Sequence, residues 1–166
     1  MNYPSGRCSL AIAISIIALI ATFYQLYLQR VHNEKSLMPL VQIDLIDRKK
    51  LIDVRVQNNG IGPFIVEKLI FSKDQVTFAS IQECLTLDPK TYQFIPITDL
   101  SKKVILPGNF LEIFSMNCGE NDSDSQTNEV RNQLGNLRFS VEGSDIYNNK
   151  IVVERDLAWF KKQIIS

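Results

Sequence analysis

The chain is poor in the side chains on which enzymes most often rely. It has one histidine, His32, and three cysteines, Cys8, Cys84 and Cys118. No C-x-x-C occurs, which excludes a zinc ribbon. No G-x-S-x-G occurs, and the single histidine follows directly on an apolar segment, so a Ser-His-acid triad has no basis. Eighteen basic and 18 acidic side chains leave no net charge. A nucleic-acid footprint needs a clustered basic excess, and none is present. Residues 8–29 contain no charged side chain at all, with Arg7 on one side and Arg30 on the other.

That last absence says the most. A helix rises about 1.5 Å per residue, so roughly 20 apolar residues cross a hydrocarbon layer of about 30 Å. Leu10 to Phe23 is almost entirely Ala, Ile and Leu. The pattern predicts a transmembrane helix. It is longer than a signal-peptide core, and the bulky run Thr22-Phe23-Tyr24-Gln25-Leu26-Tyr27 makes a poor cleavage site, so the expectation is an uncleaved anchor. Tyr24 and Tyr27 suit the interfacial belt. Arg30 and Lys35 follow the span whereas Arg7 precedes it, so the positive-inside rule favours a cytoplasmic C-terminal domain in an inner (plasma) membrane, with a periplasmic or extracellular domain as the alternative.

The expected organisation is an N-terminal tail (residues 1–7), a transmembrane helix (8–29), a juxtamembrane stalk (30–38), a β-sandwich domain (39–156) and an amphipathic tail (157–166). After Pro39 the apolar period becomes two. Val41, Ile43 and Leu45 alternate with polar residues, and Ile52, Val54 and Val56 do the same after a polar turn, which predicts a hairpin. Asn58-Asn59-Gly60-Ile61-Gly62-Pro63 is a dense turn signal. Strands are expected at Phe64 to Ser72, Val104 to Leu106, Phe110 to Met116, Leu137 to Glu142 and Ile151 to Glu154. A short edge strand is expected at Tyr92 to Ile97. Phe78, Ile81 and Leu85 have helical spacing, so a short helix is expected within Gln75 to Leu87, and another at Asn128 to Leu134. Many short strands with frequent turns predict a mainly β chain: an antiparallel sandwich behind a helix.

Four segments resemble a group of uncharacterised bacterial single-pass membrane proteins. They are Gln29 to Ser36 running to Pro39, Val56 to Ile65 against an N-x-G-x-G-P-A-x-I motif, Ile105-Leu106-Pro107-Gly108 against L-x-P-G-E, and Val141 to Asn149 against Y-x-S-I-Y-G. Phe64 and Asn109 depart from the motifs. The resemblance implies an immunoglobulin-like sandwich behind an N-terminal anchor, and it carries no activity or cofactor with it.

Candidate sites are few. Asn58, Gly60, Gly62 and Pro63 are either turn formers or part of an interaction surface. Trp159 and Phe160 lie on a tail suited either to the membrane interface or partner docking, or to packing on the sandwich. Cys84 and Cys118 are either separate thiols or a disulfide. Asn121-Asp122-Ser123-Asp124 lacks the Gly and terminal Glu of a calcium loop. No catalytic residue, metal or cofactor is expected. The leading expectation is a membrane-anchored protein-interaction module, with the bilayer and either a protein partner or a second copy as partners. The alternative is a membrane-tethered small-ligand sensor that signals through oligomerisation of its helix.

Overall fold

A computed structural model describes residues 5–48, 51–95, 102–117 and 124–164. It divides into two compact units, Met1–Leu37 and Met38–Ser166.

The first unit is helix α1, Ser5–Ser36. Among the described residues it is the one helix long and apolar enough to cross a membrane, over Ser9–Ser36, and it holds an 18-residue stretch with a mean hydropathy of 2.0. None of that stretch is buried within the molecule, so its Ile and Leu side chains have no protein core to enter. Ser15 and Thr22 donate their hydroxyls to the carbonyls of Ala11 and Ala18, one turn back, so neither brings an unsatisfied polar group into the apolar stretch. In the polar stalk, Arg30 pairs with Glu34 across one turn at 3.1 Å. The helix stops at Ser36, ahead of Pro39, which disfavours helical backbone in the residue before it.

The second unit is two antiparallel sheets. Its strands are β1 (Val41–Arg48), β2 (Leu51–Asn58), β3 (Phe64–Lys73), β4 (Val76–Phe78), β5 (Gln93–Phe94), β6 (Lys103–Ile105), β7 (Phe110–Asn117), β8 (Arg138–Ser144) and β9 (Lys150–Asp156). One sheet has the order β1-β2-β7-β5, and the other β4-β3-β8-β9 with β6 also paired to β3. Consecutive hairpins are split between layers, and β7 returns to lie beside β2, which is the Greek-key pattern of immunoglobulin-like sandwiches. Alternation explains the layering. Ile52, Val54 and Val56 from one sheet and Val66, Leu69, Phe71, Phe139 and Val141 from the other enter a common core. Phe71 and Phe139 stack there with centroids 4.8 Å apart.

The stretch Gln75 to Leu87 is not a helix. Asp74 and Gln75 both take positive φ, 49° and 66°, and close a two-residue hairpin that pairs Lys73 with Val76. Hairpin pairing of Phe78 with Phe71 outweighs the helical spacing, and only a 3-10 turn, Ile81–Glu83, follows. The edge strand near Tyr92 shrinks to Gln93–Phe94, and Pro96 lies outside the described residues. Helix α2 (Asp124–Leu134) starts earlier than expected, with Asp124 in its first turn, where an acid favours the helix dipole. Arg131 of α2 forks onto Asp47 of β1 at 2.8 and 2.9 Å, with Asp47 almost fully buried.

The C-terminal tail forms a single helical turn, α3 (Trp159–Lys162), which packs beside α2. Leu157 and Phe160 are fully buried. Residues 157–164 thus belong to the packed body of the sandwich.

Candidate interaction surfaces

Asn58 closes β2 and is completely buried. Its side-chain oxygen accepts from Leu40 N–H at 3.2 Å and from Gly60 N–H at 3.0 Å. Its amide nitrogen donates to the Gly62 carbonyl at 2.8 Å and the Ile105 carbonyl at 3.1 Å. All four hydrogen-bonding positions of the carboxamide are used. Its backbone adds bonds to Asn109 and Gly108. Asn58 therefore ties three segments into one end of the sandwich: Met38–Leu40, the β2–β3 turn and the β6–β7 turn. Gly60 lets them approach: a Cβ there would run into the backbone of Leu40, Met38 and Pro39. Gly62 contributes its carbonyl, and Pro63 leads into β3. Asn58 and Gly60 are thus interior residues that shape an end.

The β8–β9 turn reaches the same end, because Ser144 pairs with Ile65 at the start of β3. Asp145, fully buried, holds that turn: its carboxylate accepts from the Tyr147 and Asn149 backbone N–H groups and from the Asn149 side chain, at 2.8, 2.9 and 2.8 Å. Burial alone would raise its pKa, but these hydrogen bonds outweigh burial and hold it below the ordinary carboxylate value. Side chains on these turns are apolar and exposed: Leu40 is 65%, Ile61 71% and Leu106 55% exposed. Phe110, Ile146 and Tyr147 continue the patch. Outside α1, the exposed large apolar side chains of the described chain that lie away from this end are Val76 and Val152.

A second surface is the free edge of β9. Its register with β8 runs from Arg138 opposite Asp156 to Ser144 opposite Lys150. Leu157 N–H donates to Leu137 at 3.0 Å and Asp145 N–H to Asn149 at 3.2 Å. In an antiparallel ladder bonded pairs alternate, so Ile151, Val153 and Arg155 aim their backbone groups at β8. Lys150, Val152, Glu154 and Asp156 aim theirs outward, and all four are exposed. Arg155 reaches from this strand to the Ile43 carbonyl of β1 and ties the two sheets together.

A third feature, not foreseen from sequence, is Asp53 on the outer face of the first sheet. It is 4% exposed, and its Oδ1 has no hydrogen-bond partner among the described residues. Burial, reinforced by Glu112, pushes its pKa up from 3.8 to about 6; Arg55 opposes this and Asp44 adds to it. Alternation alone marks Asp53 as outward, hence solvated, so nothing in the sequence signals its burial. The Arg55 guanidinium lies 4.7 Å from the Phe110 ring centre.

Trp159 is half-buried and meets Phe160 edge-on at 5.3 Å, so this pair packs within the molecule. Cys84 is a free, buried thiol whose Sγ donates to the Ser80 carbonyl at 3.7 Å, and burial pushes its pKa up to about 11. Cys118 and residues Asn121 to Ser123 lie outside the described residues. Among the described residues, no group of three or more His, Cys, Asp or Glu side chains is arranged to hold a metal. His32 shares hydrogen-bonding range with Ser36 on the stalk, 3.3 Å away.

No protein-family profile matches the chain, and no curated protein matches it. Among solved structures, one similar chain comes from the archaeal flagellum of Methanospirillum hungatei strain JF1. It is 9% identical, 93% of each chain is covered, and the TM-score is 0.29. At that score the likeness carries no argument.

Proposed function

We propose that the protein is a single-pass, membrane-anchored interaction module without enzymatic activity, and that its β9 edge pairs with the β9 edge of a second copy. The observation that carries this reading is the self-complementarity of Lys150-Ile151-Val152-Val153-Glu154-Arg155-Asp156. Place two such strands antiparallel with Val153 opposite its twin. Lys150 then faces Asp156 of the other copy, and Val152 faces Glu154. Those four residues are the ones whose backbone groups point outward, so the register satisfies both the ladder and the charges. Charges on an edge strand ordinarily discourage pairing. Here their order favours one antiparallel partner of identical sequence. The tether confines copies to one surface and raises their effective concentration. The excess of Arg30 and Lys35 over Arg7 supports a cytoplasmic domain on an inner membrane.

Charge reversal tests the reading. Full-length protein in vesicles is cross-linked as wild type, Lys150→Asp, Asp156→Lys and the double variant. Each single change is expected to lower the dimer fraction by about tenfold, and the double reversal to restore it. A double variant no better than the singles, or singles equal to wild type, contradicts the pairing. Lys150 also pairs with Glu142 of its own chain at 3.2 Å, and the double reversal does not rebuild that contact, so recovery reports the intermolecular pair.

A further inference from the structure

We propose that Arg155 selects the pairing edge of the domain: seated on the Ile43 carbonyl, its guanidinium closes β1 to the β1 strand of a second copy and leaves β9 as the strand that pairs. Two long strands lie at sheet edges among the described residues. β1 has eight residues and β9 seven, whereas β4, β5 and β6 have three, two and three. A long edge with unpaired backbone groups is a template for another strand. The closing of β1 holds whether or not β9 pairs; only its consequence for β9 rests on the pairing proposed above.

The ladder shows which groups of β1 are at stake. Asn59 N–H donates to the Leu40 carbonyl at 2.8 Å. Bonded pairs alternate from there, so Gln42, Asp44 and Ile46 aim their backbone groups at β2, and Val41, Ile43, Leu45 and Asp47 aim theirs away from it. A strand adding to β1 needs the Ile43 carbonyl for one of its own N–H groups. Arg155 reaches across from the other sheet and already donates to that oxygen. Farther along the same row, Asp47 is clasped by Arg131 of α2. The row is therefore interrupted at two of its four residues.

Composition names the partner that this arrangement refuses. Val41-Gln42-Ile43-Asp44-Leu45-Ile46 is mostly β-branched or apolar, with one charge and no Pro or Gly. Six-residue segments of that kind stack on copies of themselves. β9 carries four charges in seven residues, Lys150, Glu154, Arg155 and Asp156, so charge order restricts what can pair with it. β1 has no such filter, and tethering brings its copies together often.

The test uses the full-length chain with Cys8→Ser, Cys84→Ala, Cys118→Ser and Lys150→Asp, the last to remove the charge match of β9. Gln42→Cys, an exposed position on β1, is the reporter. Chains are reconstituted in vesicles and treated with a short bis-maleimide. With Arg155 in place, cross-linked dimer is expected to be scarce. Arg155→Leu, which has no donor, and Arg155→Gln, which is too short to reach Ile43, are each expected to raise it about tenfold. Arg155→Lys keeps a cationic donor of similar length and is expected to hold it near the starting level. Urea unfolding followed by Trp159 fluorescence identifies the folded variants, and Arg155→Gln is the readout if Arg155→Leu does not fold. A folded Arg155→Leu or Arg155→Gln chain that cross-links no more than its parent overturns the proposal. A rise in Arg155→Lys equal to that in Arg155→Gln also overturns it. Failure of β9 pairing is read separately, at Val153→Cys, and leaves this comparison intact.

Discussion

The side chain of Asn58 donates to the carbonyl of Ile105 across 3.1 Å, joining residues 47 positions apart in the chain. That bond is one of four by which a single buried amide fastens three loops. An Asn58→Ala variant strands buried backbone groups of Gly60, Gly62 and Ile105 and unpairs the half-buried Leu40 N–H from its acceptor. It is expected to cost about 2–4 kcal/mol. Asn58→Asp loses both donors and sets a carboxylate against two carbonyl oxygens. It is expected to be at least as unstable at neutral pH and to regain stability in acid, when a protonated carboxyl can donate again. Urea unfolding of the reconstituted chain, followed by Trp159 fluorescence, measures both.

Asp53 gives the fold a pH dependence of definite sign. Its pKa is about 6 when folded and near 3.8 when unfolded. Between those values the folded state binds the extra proton, so stability falls as pH rises from about 4 to about 6 and stays at the lower level above. Asp53→Asn is expected to abolish that slope and to be more stable than wild type at pH 8 by about 1–3 kcal/mol. Unfolding midpoints across this range decide it. A slope unchanged in the variant assigns the titration to another group.

The Asp47–Arg131 fork fastens α2 to the sandwich through a nearly buried carboxylate. Removing Asp47 takes the carboxylate away from the Arg131 guanidinium, which keeps its 2.9 Å bond to Asn128, and removing Arg131 takes both fork bonds from a nearly buried carboxylate. Asp47→Leu is expected to cost about 3–5 kcal/mol, and Asp47→Leu with Arg131→Met to recover much of the loss. A double-mutant cycle on unfolding free energies measures the coupling directly.

Cys84 is expected to resist a maleimide at pH 7 in the folded protein and to react once the chain is unfolded. Its thiol is 3% exposed and its pKa is raised to about 11, so thiolate is scarce and access is closed. Mass spectrometry after labelling, with and without denaturant, distinguishes the two states.

Much of this architecture was legible in local patterns. The uncharged run from Cys8 to Gln29 reads directly as a spanning helix, and the alternation in Val41–Leu45 and Ile52–Val56 reads as a hairpin. Features that failed to show are those in which distant residues meet. The Asp74-Gln75 turn uses positive φ without glycine, so the hairpin there carried no marker and helical spacing misled. Asp47 finds Arg131 84 positions away, which no spacing rule reaches. Asn58 was visible as a turn former, but its burial and its reach to Ile105 follow only from the two-layer topology. The apolar patch was equally hidden: Leu40, Ile61 and Leu106 look isolated in sequence, and one end of the sandwich gathers them.

The measurement that tests the account most directly is site-specific cross-linking at Val153 in native membranes. Val153→Cys is placed in a chain carrying Cys8→Ser, Cys84→Ala and Cys118→Ser and exposed to a mild oxidant. In the proposed register Val153 faces its twin at a non-hydrogen-bonded position, where Cα atoms lie about 4.5 Å apart, within disulfide range. Pairing through β9 predicts rapid, near-complete formation of a disulfide-linked homodimer at Val153→Cys and little at Val76→Cys, an exposed position on another strand. A Val153→Cys chain that stays monomeric, or dimerises no faster than Val76→Cys, contradicts pairing through β9.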